Sequence, residues 1–172
     1  VQKALEMGAD QASNRSDPVE EMALAMSGGQ GLDAVILTAA TSSNDPIELA
    51  GRIARKRGRV VAVGLFPMEI PRRVYYPKEL QLRLSTSYGP GRYDPEYEER
   101  GHDYPYAYVR FTEQRNLAFS LELMAQKRLR IAPLISHRFQ ASAALEAYAL
   151  LEGKGTERPL GILLDYELDE AR

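Results

Sequence analysis

The stretch that decides the fold spans residues 33–64 and reads DAVILTAATSSNDPIELAGRIARKRGRVVAVG. Its two ends, residues 33–40 and 59–64, are too uniformly apolar for strands with one wet face, which predicts two strands buried on both sides. The middle carries apolar residues at helical spacing. A strand, a helix and a second strand joined by short loops predict a βαβ unit, and therefore a parallel sheet with helices on both faces.

Two similar segments mark the starts of helices. SDPVE at residues 16–20 and NDPIE at residues 44–48 each place an Asp before a Pro and a Glu three residues after the Asp. This pattern predicts the Asp of each segment as an N-cap that closes a capping box with its Glu. The first helix is predicted to end at Gly28-Gly29 and the second at Gly58.

Outside this region the pattern changes. Residues 80–87 alternate apolar and polar, which predicts a strand near an edge of the sheet. Residues 89–108 are rich in Gly, Pro, Asp and Tyr, which favours a binding loop or an interface. Residues 10–14 are a weaker strand candidate. The remaining predictions are a helix capped by Thr112 that ends near residues 127–130, a strand at 134–136, a helix at 142–151 and a strand at 160–164.

Composition bounds the class of protein. With 172 residues and 44% hydrophobic residues, one domain is expected over residues 1–164, with a tail or linker at 165–172. The net charge of −2 argues against nucleic-acid partners and against attraction to an anionic membrane, and the apolar runs are too short to cross a bilayer. The chain has no cysteine, which excludes disulfides and favours the cytoplasm.

Five segments carry a family resemblance: MGAD (7–10), GGQGLDAVI (28–36), RGRVVAVG (57–64), PLISHRF (133–139) and ALEAY (144–148). Their order and spacing resemble the medium-chain dehydrogenase/reductase family, the zinc-type alcohol dehydrogenase-like proteins. They extend over nearly the whole chain, although no single segment is specific. YGPGRYDPEY at residues 88–97 resembles, more particularly, two-module oxidoreductases in which such a domain precedes a second Rossmann-type module.

The resemblance implies a partial Rossmann-type, doubly wound parallel sheet with helices on both faces, whose first βαβ unit is missing. The family's glycine-rich turn for the pyrophosphate and its acidic residue for the adenosine ribose would lie before Val1. In the Rossmann strand order, a strand at residues 10–14 would then lose both neighbours. We therefore expect that strand to be disordered, rearranged or paired with another chain.

The resemblance also implies a coenzyme site. In the family, NAD or NADP lies across the carboxyl ends of the parallel strands, where small residues and a glycine allow close approach. The implied site contains no catalytic residue and no metal ligand, and any zinc would belong to a preceding catalytic domain. The implied cofactor-binding residues are Thr38, Ala39, Ala40, Val63, Gly64, Leu65, Ser85, Thr86 and Ser87.

Two functions from different classes follow. The resemblance implies that the intact protein transfers hydride between a nicotinamide dinucleotide and a small alcohol or carbonyl substrate, and that this portion alone is inactive. A homodimer through edge pairing of residues 80–87 is expected. The alternative is a non-catalytic Rossmann-scaffold module for binding or dimerisation, because a fold does not determine a function.

Several residues have a structural interpretation beside a functional one. GGQG at residues 28–31 follows a helix and precedes a strand, which indicates a helix stop, not a phosphate loop. His137 is interpreted as structural and His102 as exposed. Lys78 and Glu79 could pair with a cofactor or solvate a loop. The basic residues Arg52, Arg55, Lys56, Arg57 and Arg59 are interpreted as a solvated helix end, not a nucleic-acid surface.

The tyrosines concentrate in one region. Eight of the ten lie between Tyr75 and Tyr108. Aromatic rings with hydroxyl groups suit a substrate-facing wall, and tyrosine is equally enriched at domain and subunit interfaces. The sequence favours neither.

Overall fold

The computed structural model describes residues 1–14, 17–153 and 158–166. They divide into two compact units, residues 1–5 with 9–118 and residues 6–8 with 119–172, while the single domain expected over residues 1–164 stays a prediction. The helices are α1 (Gln2–Glu6), α2 (Val19–Met26), α3 (Asp45–Ile53), α4 (Arg72–Lys78), α5 (Pro95–Glu98), α6 (Glu113–Ala125) and α7 (Ala144–Leu151).

The first unit contains a three-stranded parallel sheet. Its strands are β1 (Leu32–Leu37), β2 (Ala54–Ala62) and β3 (Gln81–Leu84), in the order β1-β2-β3. The βαβ unit and the α/β class with parallel strands flanked by helices are therefore confirmed. The alternating segment at residues 80–87 does lie at an edge of this sheet, as predicted.

One face of this sheet carries the core. Ile47 and Ala50 of α3 and Tyr75 of α4 are buried against Val60 and Ala62 of β2. The prediction that the strands are buried on both sides is wrong for this sheet. On the opposite face of β1, the side chain of Ile36 is 65% exposed, so the long apolar run does not mean two covered faces here.

Helix α4, which was not predicted from the sequence, packs closely against α3. A Cβ at Gly51 would lie 2.6 Å from Cε2 of Tyr75, so the glycine inside α3 allows the two helices to meet. The Tyr75 hydroxyl donates a hydrogen bond of 2.8 Å to the carbonyl of Ile47. Burial raises the pKa of Tyr75 to about 12, because the phenolate would lose its hydration.

Lys78 closes the carboxyl end of α3. Its Nζ donates to the carbonyl oxygens of Gly51 at 2.9 Å, Arg52 at 2.7 Å and Ala54 at 2.8 Å. A cation is favoured at this end of a helix, where carbonyl groups have no partner in the helix. Burial lowers the pKa of Lys78, and Glu20 opposes that shift. The open question about Lys78 is thus answered by a structural role.

The end of α3 differs from the prediction. Helix α3 ends at Ile53 and Gly58 lies inside β2, because the chain enters the strand directly after the carbonyls held by Lys78. Of the five basic residues assigned to the helix end, only Arg52 belongs to α3. The other four, Arg55, Lys56, Arg57 and Arg59, lie on β2.

The predicted N-caps are also wrong. The N-cap position is Pro18 in α2 and Asn44 in α3, and neither helix has a side-chain cap hydrogen bond. The Asp17 carboxylate instead accepts from the backbone N–H of Asn14 at 2.6 Å, while Asp45 lies within α3. A local turn before α2 thus competes for the Asp17 side chain. Ser16 of the first segment lies outside the described residues.

The second unit contains a parallel pair of strands, β4 (Ile135–Gln140) and β5 (Gly161–Asp165). Short 3-10 turns at Ala132–Leu134 and Ala141–Ala143 come before β4 and α7. The predicted elements are present, although β4 is longer than expected. Asp165 belongs to β5 and pairs with Arg138 at 2.9 Å, whereas residues 167–172 of the expected tail lie outside the described chain.

Two further observations concern the described residues alone. Residues 10–14 form no strand there, so the weaker strand candidate is not present as a strand. Each helix of the described residues is too short or too polar to cross a membrane.

Replacing Lys78 tests the link between α3 and α4. We expect Lys78→Met to lower the free energy of unfolding by about 2 kcal/mol, because three carbonyl oxygens lose a charged donor. Lys56→Met on the exposed surface of β2 is the matched control, expected within about 0.5 kcal/mol of wild type. Urea unfolding measures both. An equal change in the free energy of unfolding for the two substitutions would mean that water hydrogen-bonds to the carbonyl oxygens as well as Lys78 does.

Candidate functional site

The candidate site lies where the three parallel strands of the first unit end. Leu37, Ala62 and Leu84 are register partners across the sheet, so the residues after them emerge at one edge. These are residues 38–40 after β1 and 63–65 after β2. The third group, residues 85–87, follows β3. The structure thus brings all nine residues predicted from the sequence to one carboxyl edge.

The loops after β1 and β2 are in direct contact. The N–H groups of Val63 and Gly64 both donate to the Leu37 carbonyl at 2.9 Å, and the Thr41 N–H donates to the Leu65 carbonyl at 2.9 Å. A Cβ at Gly64 would lie only 2.1 Å from the Ala39 oxygen. The chain's own backbone therefore requires this glycine, and contact of Gly64 with a coenzyme stays a prediction.

The segment after β3 forms a tight turn at the end of the strand. The Ser85 N–H still donates to the Ala62 carbonyl at 2.9 Å, and the Thr86 carbonyl accepts from Gly89 at 2.7 Å. Ser87 has a φ of 37°, a left-handed conformation that a non-glycine residue adopts in tight turns. Eight of the nine predicted residues are exposed, with Gly64 intermediate. Their hydroxyl groups and backbone are accessible to a ligand.

A cavity of about 460 Å³ adjoins this edge beside β1. Ala39 and Ala40 line it together with apolar residues such as Leu49. Thr41 and Ser43, which the sequence analysis did not select, are also in the lining. Both could have been predicted from the sequence, because they lie in the turn from a predicted strand to a predicted helix. Ligands of α/β sheets bind at such turns.

The tyrosine-rich segment folds upon itself. The rings of Tyr97 and Tyr104 stack with centroids 5.7 Å apart, and the Tyr97 hydroxyl donates to Oγ1 of fully buried Thr112 at 3.1 Å. The Tyr104 hydroxyl donates to Asp94. That hydrogen bond, aided by the Glu96 N–H, holds the pKa of Asp94 below its usual value. These two tyrosines order the segment, while Tyr108 remains exposed.

Each of the two histidines has a neighbouring side chain as a partner. His102 is exposed, with Nδ1 2.9 Å from a carboxylate oxygen of Glu96. His137 lies 2.8 Å from the Ser136 hydroxyl and stacks on Phe139. In residues 1–14, 17–153 and 158–166, no group of three or more His, Cys, Asp or Glu side chains could hold a metal ion. The described residues therefore do not fit zinc.

The glycines at residues 28–31 stop helix α2, as the sequence predicted. The Gly29 N–H donates back to the Leu24 carbonyl at 2.7 Å, and Gly28, Gly29 and Gly31 all have positive φ. This is the hydrogen-bond pattern of a helix carboxyl end.

Three of the basic residues form exposed ion pairs. Arg52 pairs with Glu20, Arg55 with Asp33 and Arg57 with Glu79. Arg59, two residues further along β2, has no ion pair with the described residues. The basic cluster is therefore mostly neutralised by neighbouring carboxylates.

A protein-family model described as zinc-binding dehydrogenase matches residues 1–101. A search of curated proteins found no match. Among solved structures, alcohol dehydrogenase TADH from Thermus sp. ATN1 is 22% identical to this chain, with a TM-score of 0.67. The match covers 96% of this chain and 40% of the Thermus chain. An alcohol dehydrogenase (rspB) from E. coli CFT073, in complex with cofactor NADH, is 21% identical with a TM-score of 0.65.

The match with the E. coli structure covers 95% of this chain and 40% of the E. coli chain. A putative NADPH:quinone reductase from Bacillus thuringiensis has 15% identity and a TM-score of 0.61. The match covers 94% of this chain and 44% of the reductase chain. At these identities the likeness shows the fold. The chain spans about two fifths of the length of these structures.

Substitution of Gly64 tests how closely the two loops approach. We expect Gly64→Ala to destabilise the protein by about 3 kcal/mol, because the added Cβ overlaps the Ala39 backbone. Gly101→Ala is the control, since Gly101 has a φ of 70° but no atom within 4 Å of an added Cβ, and should cost about 1 kcal/mol. Thermal unfolding compares the two, and a smaller loss for Gly64→Ala would contradict the close approach.

Proposed function

The chain belongs to the zinc-binding dehydrogenase family, and we propose that it is the nicotinamide-coenzyme-binding part of an alcohol dehydrogenase-like oxidoreductase. In this proposal, the intact protein transfers hydride between the coenzyme and a small alcohol or carbonyl substrate. The portion described by these residues would be inactive alone, because none of the nine predicted edge residues has an acidic or basic side chain.

The convergence of residues 38–40, 63–65 and 85–87 at one edge carries the proposal. Open parallel sheets bind ligands outside the carboxyl ends of their strands, because the loops there leave crevices between strand and helix. The small exposed side chains of Ala39 and Ala40 leave the backbone open, and the cavity beside them extends the edge. This arrangement supports a flat, extended ligand such as a dinucleotide.

The residues of the edge would bind and orient the coenzyme. A nicotinamide dinucleotide held here supplies the hydride acceptor or donor of the reaction. Thr38, Ser85 and Thr86 offer hydroxyl groups and backbone atoms for hydrogen bonds to ribose and amide groups. The exposed Leu65 side chain offers apolar contact beside them. Positioning of this kind is the contribution that a protein makes to cofactor chemistry.

The choice between NAD and NADP stays open in this proposal. One structure of the same fold carries NADH and another is a putative NADPH:quinone reductase. The acidic or basic residue that selects between the two coenzymes would follow the second strand of a complete Rossmann domain. We assign no zinc to the described residues, which contain no group of three or more potential metal ligands.

A non-catalytic binding or dimerisation module is the second candidate function. One observation favours it: β3 is an edge strand of the described sheet and its Leu84 is 64% exposed. An exposed edge with apolar side chains can pair with another copy. This module would need neither the cavity beside Ala40 nor the convergence of three loops, so we rank it below the coenzyme-binding function.

Coenzyme titration with an edge variant tests the proposal. In calorimetric titrations of the full-length protein with NADH and NADPH, we expect one coenzyme to bind. Ala40→Glu should weaken binding about tenfold or more, because a carboxylate at the edge opposes an anionic ligand. Ala34→Glu is the matched control, an exposed alanine within β1, and should leave the affinity within about twofold.

Melting temperatures of both variants must stay near that of wild type for this comparison. A wild-type protein that binds neither coenzyme at millimolar concentration would exclude the coenzyme-binding function and leave the non-catalytic module. Equal losses for Ala40→Glu and Ala34→Glu would place the coenzyme away from the carboxyl edge.

A further inference from the structure

A second cavity, of about 730 Å³, lies against the sheet face opposite the core. Arg59 of β2 and Arg83 of β3 reach it from that face, since Arg59 pairs in register with Gln81 and Val61 with Arg83. Arg92, from the tyrosine-rich segment, completes the set. Among the described residues, no Asp or Glu side chain lines this cavity.

The two sheet arginines lack counter-charges. Within the described part of the chain, neither Arg59 nor Arg83 forms an ion pair or a side-chain hydrogen bond, although Arg55 and Arg57 of the same β2 strand do. Neighbouring cations on one sheet face repel each other. Their placement around one cavity concentrates positive charge there, which a bound anion would offset.

Arg92 is held in one orientation. Its guanidinium donates to Glu98 and lies 4.4 Å above the centroid of the Tyr93 ring. Its Nε is buried and has no hydrogen-bond partner among the described residues. A buried donor on a charged group is costly to leave unpaired. The ion pair with Glu98 compensates the charge of Arg92, so Arg59 and Arg83 are the cations of this lining that have no ion pair among the described residues.

These observations define the chemistry of the ligand. Guanidinium groups bind carboxylates and phosphates through paired, charge-assisted hydrogen bonds, and the volume suits a small metabolite. Ser85 and Thr86 of the candidate coenzyme edge line the same cavity. We infer that the cavity binds the carboxylate or phosphate of a small acidic substrate, an assignment that rests on the proposed function.

The coenzyme's own phosphates are the other source of such an anion, and the test distinguishes the two. Calorimetry at constant ionic strength would titrate the full-length protein with inorganic phosphate, gluconate, neutral sorbitol and the two reduced coenzymes, NADH and NADPH. The test variant is Arg59→Gln combined with Arg83→Gln. Arg57→Gln is the matched control, because Arg57 lies on the same strand but outside the lining.

We expect wild type to bind at least one of the two anions and not sorbitol. The double variant should lose at least about tenfold in anion affinity, with coenzyme affinity unchanged, since each guanidinium provides charge-assisted hydrogen bonds. Arg57→Gln should stay within about twofold of wild type, because exposed ion pairs contribute little. A further variant with Lys at both positions should retain part of the affinity, because the charge remains.

Four results would overturn the inference. Failure of wild type to bind either anion, or equal binding by the double variant, would show that the cavity is not an anion site. An equal loss of coenzyme affinity in the double variant would assign the arginines to the coenzyme, not to a substrate. Anion binding without binding of either coenzyme would overturn the proposed function, and the substrate assignment with it.

Discussion

The parallel pairing of β2 with both β1 and β3 is the constraint on which the site depends. Because Leu37, Ala62 and Leu84 stand in register, three loops that are distant in sequence emerge side by side. The contact between Gly64 and the Ala39 backbone then fixes two of those loops against each other. Without this pairing, the nine residues of the candidate edge would have no reason to lie together.

The two faces of the same sheet differ in what covers them. On one face, α3 and α4 form the core, with Gly51, Tyr75 and Lys78 at their junction. On the other face, Arg59 and Arg83 line a cavity under the tyrosine-rich segment. A buried face that stabilises and an accessible face that binds are compatible because side chains alternate along a strand. The carboxyl edge connects the two.

Much of this architecture was predictable from the sequence, and the exceptions have physical causes. The βαβ unit and the helix stop at residues 28–31 follow from apolar runs and glycines, which act locally. Helix α4 was missed because its helical pattern includes Pro77 and its stability comes from contact with α3. The helix caps and the end of α3 depend on tertiary partners such as Lys78, and the arginine cavity depends on how residues 88–112 fold. These features depend on residues that are distant in sequence, so no periodic sequence pattern predicts them.

Hydrogen–deuterium exchange of the full-length protein, with and without saturating coenzyme, tests the central claim most directly. The account predicts slower exchange in peptides that contain residues 38–40 and 85–87, because a dinucleotide at the carboxyl edge would cover both loops. A peptide from α5 should exchange at the same rate in both states. Coenzyme binding that protects other segments and leaves both loops unchanged would contradict the assignment of the edge as the coenzyme site.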